Sequence, residues 1–153
     1  MSAHVLSNTN AKLTEPWREL WNGDVSLAEK IIDEDFVAHA APLTGVGTDE
    51  IHGREALQQW VAGIHRILPD LNFSLDVGPI TDEDYLVVRW RAQGTYAGGF
   101  PGANDAAVGN VITFSGTDTL RVKDSMLVEY WANADSLLFV QQLGVKELPG
   151  AGA

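Results

Sequence analysis

The sequence predicts an α+β fold, a cone-shaped, curved and mainly antiparallel sheet wrapped around three N-terminal helices. Hydrophobic residues recur at helical spacing as far as Pro69. From Asn72 onward the period becomes that of strands, in four segments rich in β-branched and aromatic residues with turn residues between them. Helices first and strands after, joined by short links, is an α+β layout. Strands of this length can curl around the helices and leave an interior pocket.

Each element has its own signal. Thr14 has the residue type of an N-cap, with Glu15 and Pro16 suited to the first turn of a helix through Trp17, Leu20 and Trp21. Asn22–Asp24 ends it. Ser26 is expected to cap a second helix with Leu27, Ile31 and Ile32 as its apolar stripe, followed by a short extended piece, DFVAHAA. Pro42 to Gly53 reads as a long Gly-rich loop. In REALQQWVAGIHRIL, Leu57, Trp60, Val61, Ile64 and Leu68 fall at helical spacing, and Pro69 stops this third helix. The strands are FSLDVGPI, YLVVRWRAQGTY, VITFSGTDTLRV and MLVEYWANA. TDED and KDS are short enough for hairpins, whereas AGGFPGANDAAVGN is expected to loop over the end of the sheet. A short last helix is expected in SLLFVQQL. The predicted domain covers residues 13–144, between an N-terminal extension, 1–12, and a flexible tail, 145–153, ending in LPGAGA.

Composition narrows the function. A chain of 153 residues, 45% hydrophobic and with five Trp, suffices for one domain with a real core. The absence of Cys excludes disulfides, thiolate nucleophiles and thiolate metal sites, and fits the expected cytoplasmic location. The first residues, MSAHVLSNTNAKLTEPW, lack a basic leader and an apolar stretch of signal-peptide length. No run approaches the length of a membrane span. A net charge of −11 argues against nucleic acid and against acidic membrane surfaces. The expected partner is a small hydrophobic molecule in an interior pocket.

The motifs HGREAL, LPDLNF, VVRWRAQGTYAGGFPG, ITFSGTDTLRV and QQLG, in this order within residues 15–144, resemble the SnoaL-like polyketide cyclases (ester cyclases). These belong to the superfamily with the nuclear transport factor 2 fold. The resemblance implies a conical α+β barrel, a pocket between helices and sheet, and a homodimer formed through the sheet. It also implies intramolecular aldol chemistry without metal or cofactor. Aligned with the ring-closing members, their acid/base aspartate falls at Ala132, so that a common Trp-Asp pair is Trp131-Ala132 here. A pocket asparagine aligns with Ala38, or with His39 after a shift by one, and a polar pair aligns with Gly116 and Asp118.

Strand alternation places Asp118 with Ile112, Phe114, Leu120 and Val122, opposite a row of Thr113, Ser115, Thr117, Thr119 and Arg121. An aspartate among apolar neighbours is hydrogen-bonded, paired or raised in pKa, and a raised pKa suits a general acid/base. The alternative is a buried carboxylate that ties down a loop or pairs with an arginine. Tyr130 shares a face with Ala132 and could donate to a developing oxyanion, or be a core tyrosine. His39 could relay protons with Asp118 across the pocket, or bond a backbone carbonyl. Trp60, Trp90, Phe73, Tyr96, Phe100 and Phe114 are candidates for an aromatic cavity wall, with Ala132 beside them, and all could be plain core. His4, His52 and His65 read as tail, loop and helix-surface positions. No His, Asp or Glu set has metal-ligand spacing, and Gly45–Gly47 lacks the context of a dinucleotide site. Asp135, just before SLLFVQQL, reads as the N-cap of the last helix. Three readings remain: a cofactor-free cyclase or isomerase, a non-catalytic binding domain, and an epoxide hydrolase or dehydratase.

Overall fold

The computed structural model describes residues 9–42, 47 and 49–147. The beginning of the predicted extension, the centre of the Gly-rich loop and the LPGAGA tail lie outside the described residues. The elements run α1 (Thr14–Trp21), a 3-10 turn (Val25–Leu27), α2 (Ala28–Ile31), β1 (Ile32–His39), β2 (Glu50–His52) and α3 (Arg54–Ile67). Then come β3 (Asn72–Asp82), β4 (Tyr85–Thr95), a 3-10 turn (Asp105–Ala107), β5 (Val111–Lys123), β6 (Met126–Ala134) and α4 (Ser136–Gln142). The α+β order read from the period change is the order observed.

The sheet has six strands in the order β2-β1-β6-β5-β4-β3, rather than four. The meander β3–β6 is antiparallel throughout, and β1 joins its edge parallel to β6. β2, three residues inside the predicted loop, pairs antiparallel with β1. Two links tighten as expected. At the β5–β6 turn both Asp124 and Ser125 adopt positive φ, the geometry a two-residue hairpin needs to match strand twist.

Alternation decides which side chains face inward. Along β4, Leu86, Val88, Trp90 and Ala92 are buried, and along β5 so are Ile112, Phe114, Asp118, Leu120 and Val122. All of these except Val88 and Asp118 meet Trp17, Leu20 and Trp21 of α1 and Leu57 and Val61 of α3 in one core. Ridges of large apolar side chains on two helices thus cover the concave side of the sheet, the main driving force for the fold.

The start of α1 differs from expectation. Leu13 holds the N-cap position, its carbonyl accepting from Trp17 N at 3.0 Å. Thr14 is buried, and its hydroxyl has no hydrogen-bond partner among the described residues. Ser26 lies within the 3-10 turn and donates to Asp24, so that the second helix is one turn long and Ile32 already belongs to β1. Two contacts pin the end of α1 over the sheet. The Asn22 amide accepts from Phe73 N at 2.6 Å and donates to Phe73 O at 3.2 Å, as a neighbouring strand would. His65, rather than lying on the helix surface, places Nε2 2.7 Å from the Trp21 carbonyl.

Candidate active site

Between the helices and the sheet lies a cavity of about 600 Å³ whose wall is rich in aromatic rings. Trp17, Trp21 and Trp60 come from the helices, Phe73, Trp90, Phe114 and Tyr130 from the strands, and Phe100 from the long β4–β5 loop. Among the described residues one carboxylate lines it, that of Asp118, which is 4% exposed.

Asp118 is held by three neutral donors and no cation. Trp17 Nε1 donates to Oδ2 at 3.0 Å; Trp90 Nε1 and the Tyr130 hydroxyl donate to Oδ1 at 2.9 and 2.8 Å. A carboxylate oxygen has about two lone-pair sites. Both sites of Oδ1 are therefore used, and Oδ2 keeps one. Burial raises the Asp118 pKa above the ordinary carboxylate value, and the three hydrogen bonds pull the other way without cancelling it. Tyr130 is pushed well above the usual phenol range, first by burial and then by the adjacent Asp118, so it stays a donor.

The backbone explains how two indoles and a phenol converge. Asp118 pairs with Val88 on β4 and Ala132 on β6, so its immediate cross-strand neighbours are apolar and small. Trp90 pairs with Gly116, one inward position along β5. A Cβ at Gly116 would lie 2.4 Å from Trp90 Cζ2 and 2.5 Å from the Asn133 carbonyl oxygen. Glycine here lets the Trp90 ring lie across β5 and reach Asp118.

The candidate residues separate cleanly. Asp118 and Tyr130 are in direct contact, and Trp60, Trp90, Phe100, Phe114 and Ala132 share the cavity wall with them. His39 is not brought to Asp118. It pairs with Trp131 in the β1–β6 register and stacks on that ring at 5.4 Å, on the opposite face of the sheet. Its Nε2 lies 2.7 Å from Glu129, which also accepts from Arg121 at 3.1 Å. Burial alone would raise Glu129, but these two partners outweigh it and lower its pKa. Tyr96 is also outside the wall; its hydroxyl accepts from Phe100 N at 3.0 Å and so holds the loop that carries Phe100. Asp135 occupies the N-cap position of α4, yet its carboxylate accepts from the Ser115 hydroxyl at 2.9 Å and makes no capping bond.

Sequence reasoning missed Trp17 and Trp21 as site residues. Their spacing of four in EPWRELW gave a signal, but the same spacing marks any buried helix face. Among the described residues no cluster of three or more His, Asp or Glu is placed to hold a metal ion, and no helix is long and apolar enough to cross a membrane.

Comparison with known proteins agrees with this architecture. No curated protein matches the chain. Among solved structures, IdmH of Streptomyces antibioticus, a proposed polyketide cyclase, superposes with a TM-score of 0.76 at 23% identity, over 89% of this chain and 99% of that one. A proposed polyketide cyclase of Acidithiobacillus ferrooxidans gives 0.74 at 25% identity, over 88% and 94% of the two chains. AclR of Streptomyces galilaeus, a proposed hydroxylase, gives 0.75 at 21% identity, over 90% and 82%. These likenesses establish the fold. A sequence model of the SnoaL-like polyketide cyclases matches residues 11–143, and the chain belongs to that family.

Proposed function

We propose that the protein binds a small, hydrophobic, carbonyl-bearing molecule in the aromatic cavity and catalyses cofactor-free acid/base chemistry on it, an aldol cyclisation or an isomerisation. The supporting observation is Asp118, a buried carboxylate in the cavity wall with a raised pKa and one unoccupied lone-pair site on Oδ2. In the forward step Oδ2 takes a proton from the carbon next to a substrate carbonyl, leaving an enolate. In a cyclisation that carbon forms a bond to a second carbonyl of the same molecule, and the protonated Asp118 returns its proton to the new alkoxide. In an isomerisation the proton returns to another carbon of the conjugated system. Tyr130, Trp17 and Trp90 hold the carboxylate in place and stabilise its charge through both half-steps.

A specific observation favours a second reading, a binding domain without turnover. The resemblance puts the usual aspartate at Ala132, and three of the four acceptor sites of Asp118 are already used. A thermal-shift screen of aromatic ketones and polyketide-like esters, with product analysis of each hit, separates the two. The catalytic reading expects hits that are converted by the wild type and bound but not converted by Asp118→Asn. Tight binding without conversion at any pH would establish the binding domain instead.

The finer assembly and location belong to the same proposal: a cytoplasmic homodimer formed through the outer face of the sheet. That face carries Val77, Ile80 and Tyr85, exposed by 50%, 56% and 44%, beside the half-buried Trp131. Light scattering after gel filtration should give twice the chain mass of 16.6 kDa; a monomer at micromolar concentration would reject the dimer.

A further inference from the structure

We propose that Trp21 recognises the carbonyl oxygen of the ligand, its indole N–H donating to that oxygen while Asp118 faces the adjacent carbon. The inference deepens the catalytic reading and rests on it for the nature of the ligand. Trp21 lines the cavity and is 7% exposed, and its Nε1 has no hydrogen-bond partner among the described residues. An indole N–H can only donate, and leaving it unpaired inside a protein costs free energy that a functional partner would recover.

Among the described residues, the rings packed on Trp21 offer no substitute acceptor. The rings packed on Trp21 are Trp17 at 5.9 Å, Trp60 at 5.0 Å, Phe73 at 5.8 Å and Tyr130 at 6.3 Å. Of these only Tyr130 carries an oxygen, and its hydroxyl is bonded to Asp118. Nor can α1 shift to find a partner for the donor. The Trp21 carbonyl is bonded to His65, and Asn22 next to it is locked onto the Phe73 backbone in both directions. Trp60, half-buried and edge-on to Trp21, is the neighbour able to yield as an acceptor arrives.

Both indoles come from α1 and line the cavity. Trp17 and Trp21 stand one turn apart, about 6 Å along the axis. Trp17 holds the base, and Trp21, one turn on, carries a buried, unpartnered donor that an acceptor reaches once Trp60 gives way. An N–H aimed at the oxygen strengthens its bond as the enolate develops, which favours proton removal.

The test compares 9-fluorenone with fluorene, rigid tricyclic probes that differ in one carbonyl. Binding of each is measured by calorimetry to the wild type, to Trp21→Phe, and to protein in which 3-benzothienylalanine replaces Trp21, keeping a bicyclic ring and removing the N–H. The wild type should prefer fluorenone by about tenfold, the worth of a good hydrogen bond. Both substituted proteins should lose the preference, judged as the fluorenone-to-fluorene affinity ratio within each protein. The infrared carbonyl stretch of bound fluorenone should lie lower in the wild type than in either. Equal affinity of the wild type for the two probes, or a preference that survives both replacements, overturns the assignment and leaves the hydrophobic-ligand reading standing. If the wild type binds neither probe, that reading fails as well. A preference abolished by Asp118→Asn but not at Trp21 would put the carbonyl on a protonated Asp118 and reject the proposal.

Discussion

Asp118 and Ala132 face each other directly across the β5–β6 ladder. Side chains at such a pair stand about 5 Å apart on the same face of the sheet. The sequence resemblance puts the acid/base aspartate of ring-closing relatives at Ala132. Asp118 stands one strand away from Ala132, in the same cavity and on the same face. A single position on the concave surface can thus be reached by a carboxylate from either strand.

The relationship predicts a rescue. Asp118→Ala should lower turnover by about 10²- to 10⁴-fold, the usual worth of a positioned general base. Adding Ala132→Asp to that variant should recover at least about tenfold, measured as kcat/KM on the best substrate from the screen. With Asp118 retained, Ala132→Asp should instead lower stability at neutral pH, because two carboxylates in one apolar site cannot both ionise cheaply.

The donors around Asp118 predict a pH shift with a definite sign. The Trp17 hydrogen bond lowers the Asp118 pKa against the larger effect of burial. Trp17→Phe removes it, so Asp118 should titrate at higher pH and the acid limb of the rate profile should move upward. Stability should fall by about 1.5–3 kcal/mol, as for a lost hydrogen bond to a charged group. Carbon-13 chemical shifts of labelled aspartate and denaturant melts measure the two effects. An acid limb that stays in place would mean that Asp118 does not set it.

Gly116 is expected to tolerate no side chain. Gly116→Ala places a Cβ 2.4 Å from the Trp90 ring and 2.5 Å from a backbone oxygen, neither of which can retreat easily. Overpacking of this kind costs about 1–3 kcal/mol, and the displaced Trp90 should lose its bond to Asp118. Urea melts, with the indole N–H resonance of Trp90 as a local probe, should show both.

How much of this was legible in the sequence depended on how local the signal was. The inward direction of Asp118 followed from alternation in VITFSGTDTLRV, because a strand's period carries over many residues. That Trp17 donates to it from 101 positions away did not, since nothing in EPWRELW distinguishes a ring that packs from one that also donates. Glu50–His52 went unread as a strand because three residues inside a Gly-rich loop cannot display a period. Thr14 was misjudged as a cap because the chain already coils ahead of it, and its hydroxyl is buried beneath the helix. The place of the extended piece DFVAHAA in the sheet, as β1 alongside β6, rests on a parallel pairing between distant segments that turn residues do not announce.

His39 provides the control. It lies on the outer face with Glu129, Arg121 and Trp131, across the sheet from the cavity. His39→Gln should leave ligand affinity and turnover within about twofold while lowering stability by about 1 kcal/mol at most. Calorimetry on any cavity ligand checks it, and a large loss of affinity would place His39 in the wrong site.

The acid/base role of Asp118 is tested most directly by proton exchange, which needs no knowledge of the natural substrate. 2-Tetralone in D₂O with catalytic protein is followed by proton NMR at the carbons flanking its carbonyl. The account predicts deuterium incorporation well above the buffer rate with the wild type, lost in a folded Asp118→Asn variant that still binds the ketone. Exchange by Asp118→Asn as fast as by the wild type, or wild-type exchange no faster than buffer despite binding, would contradict it.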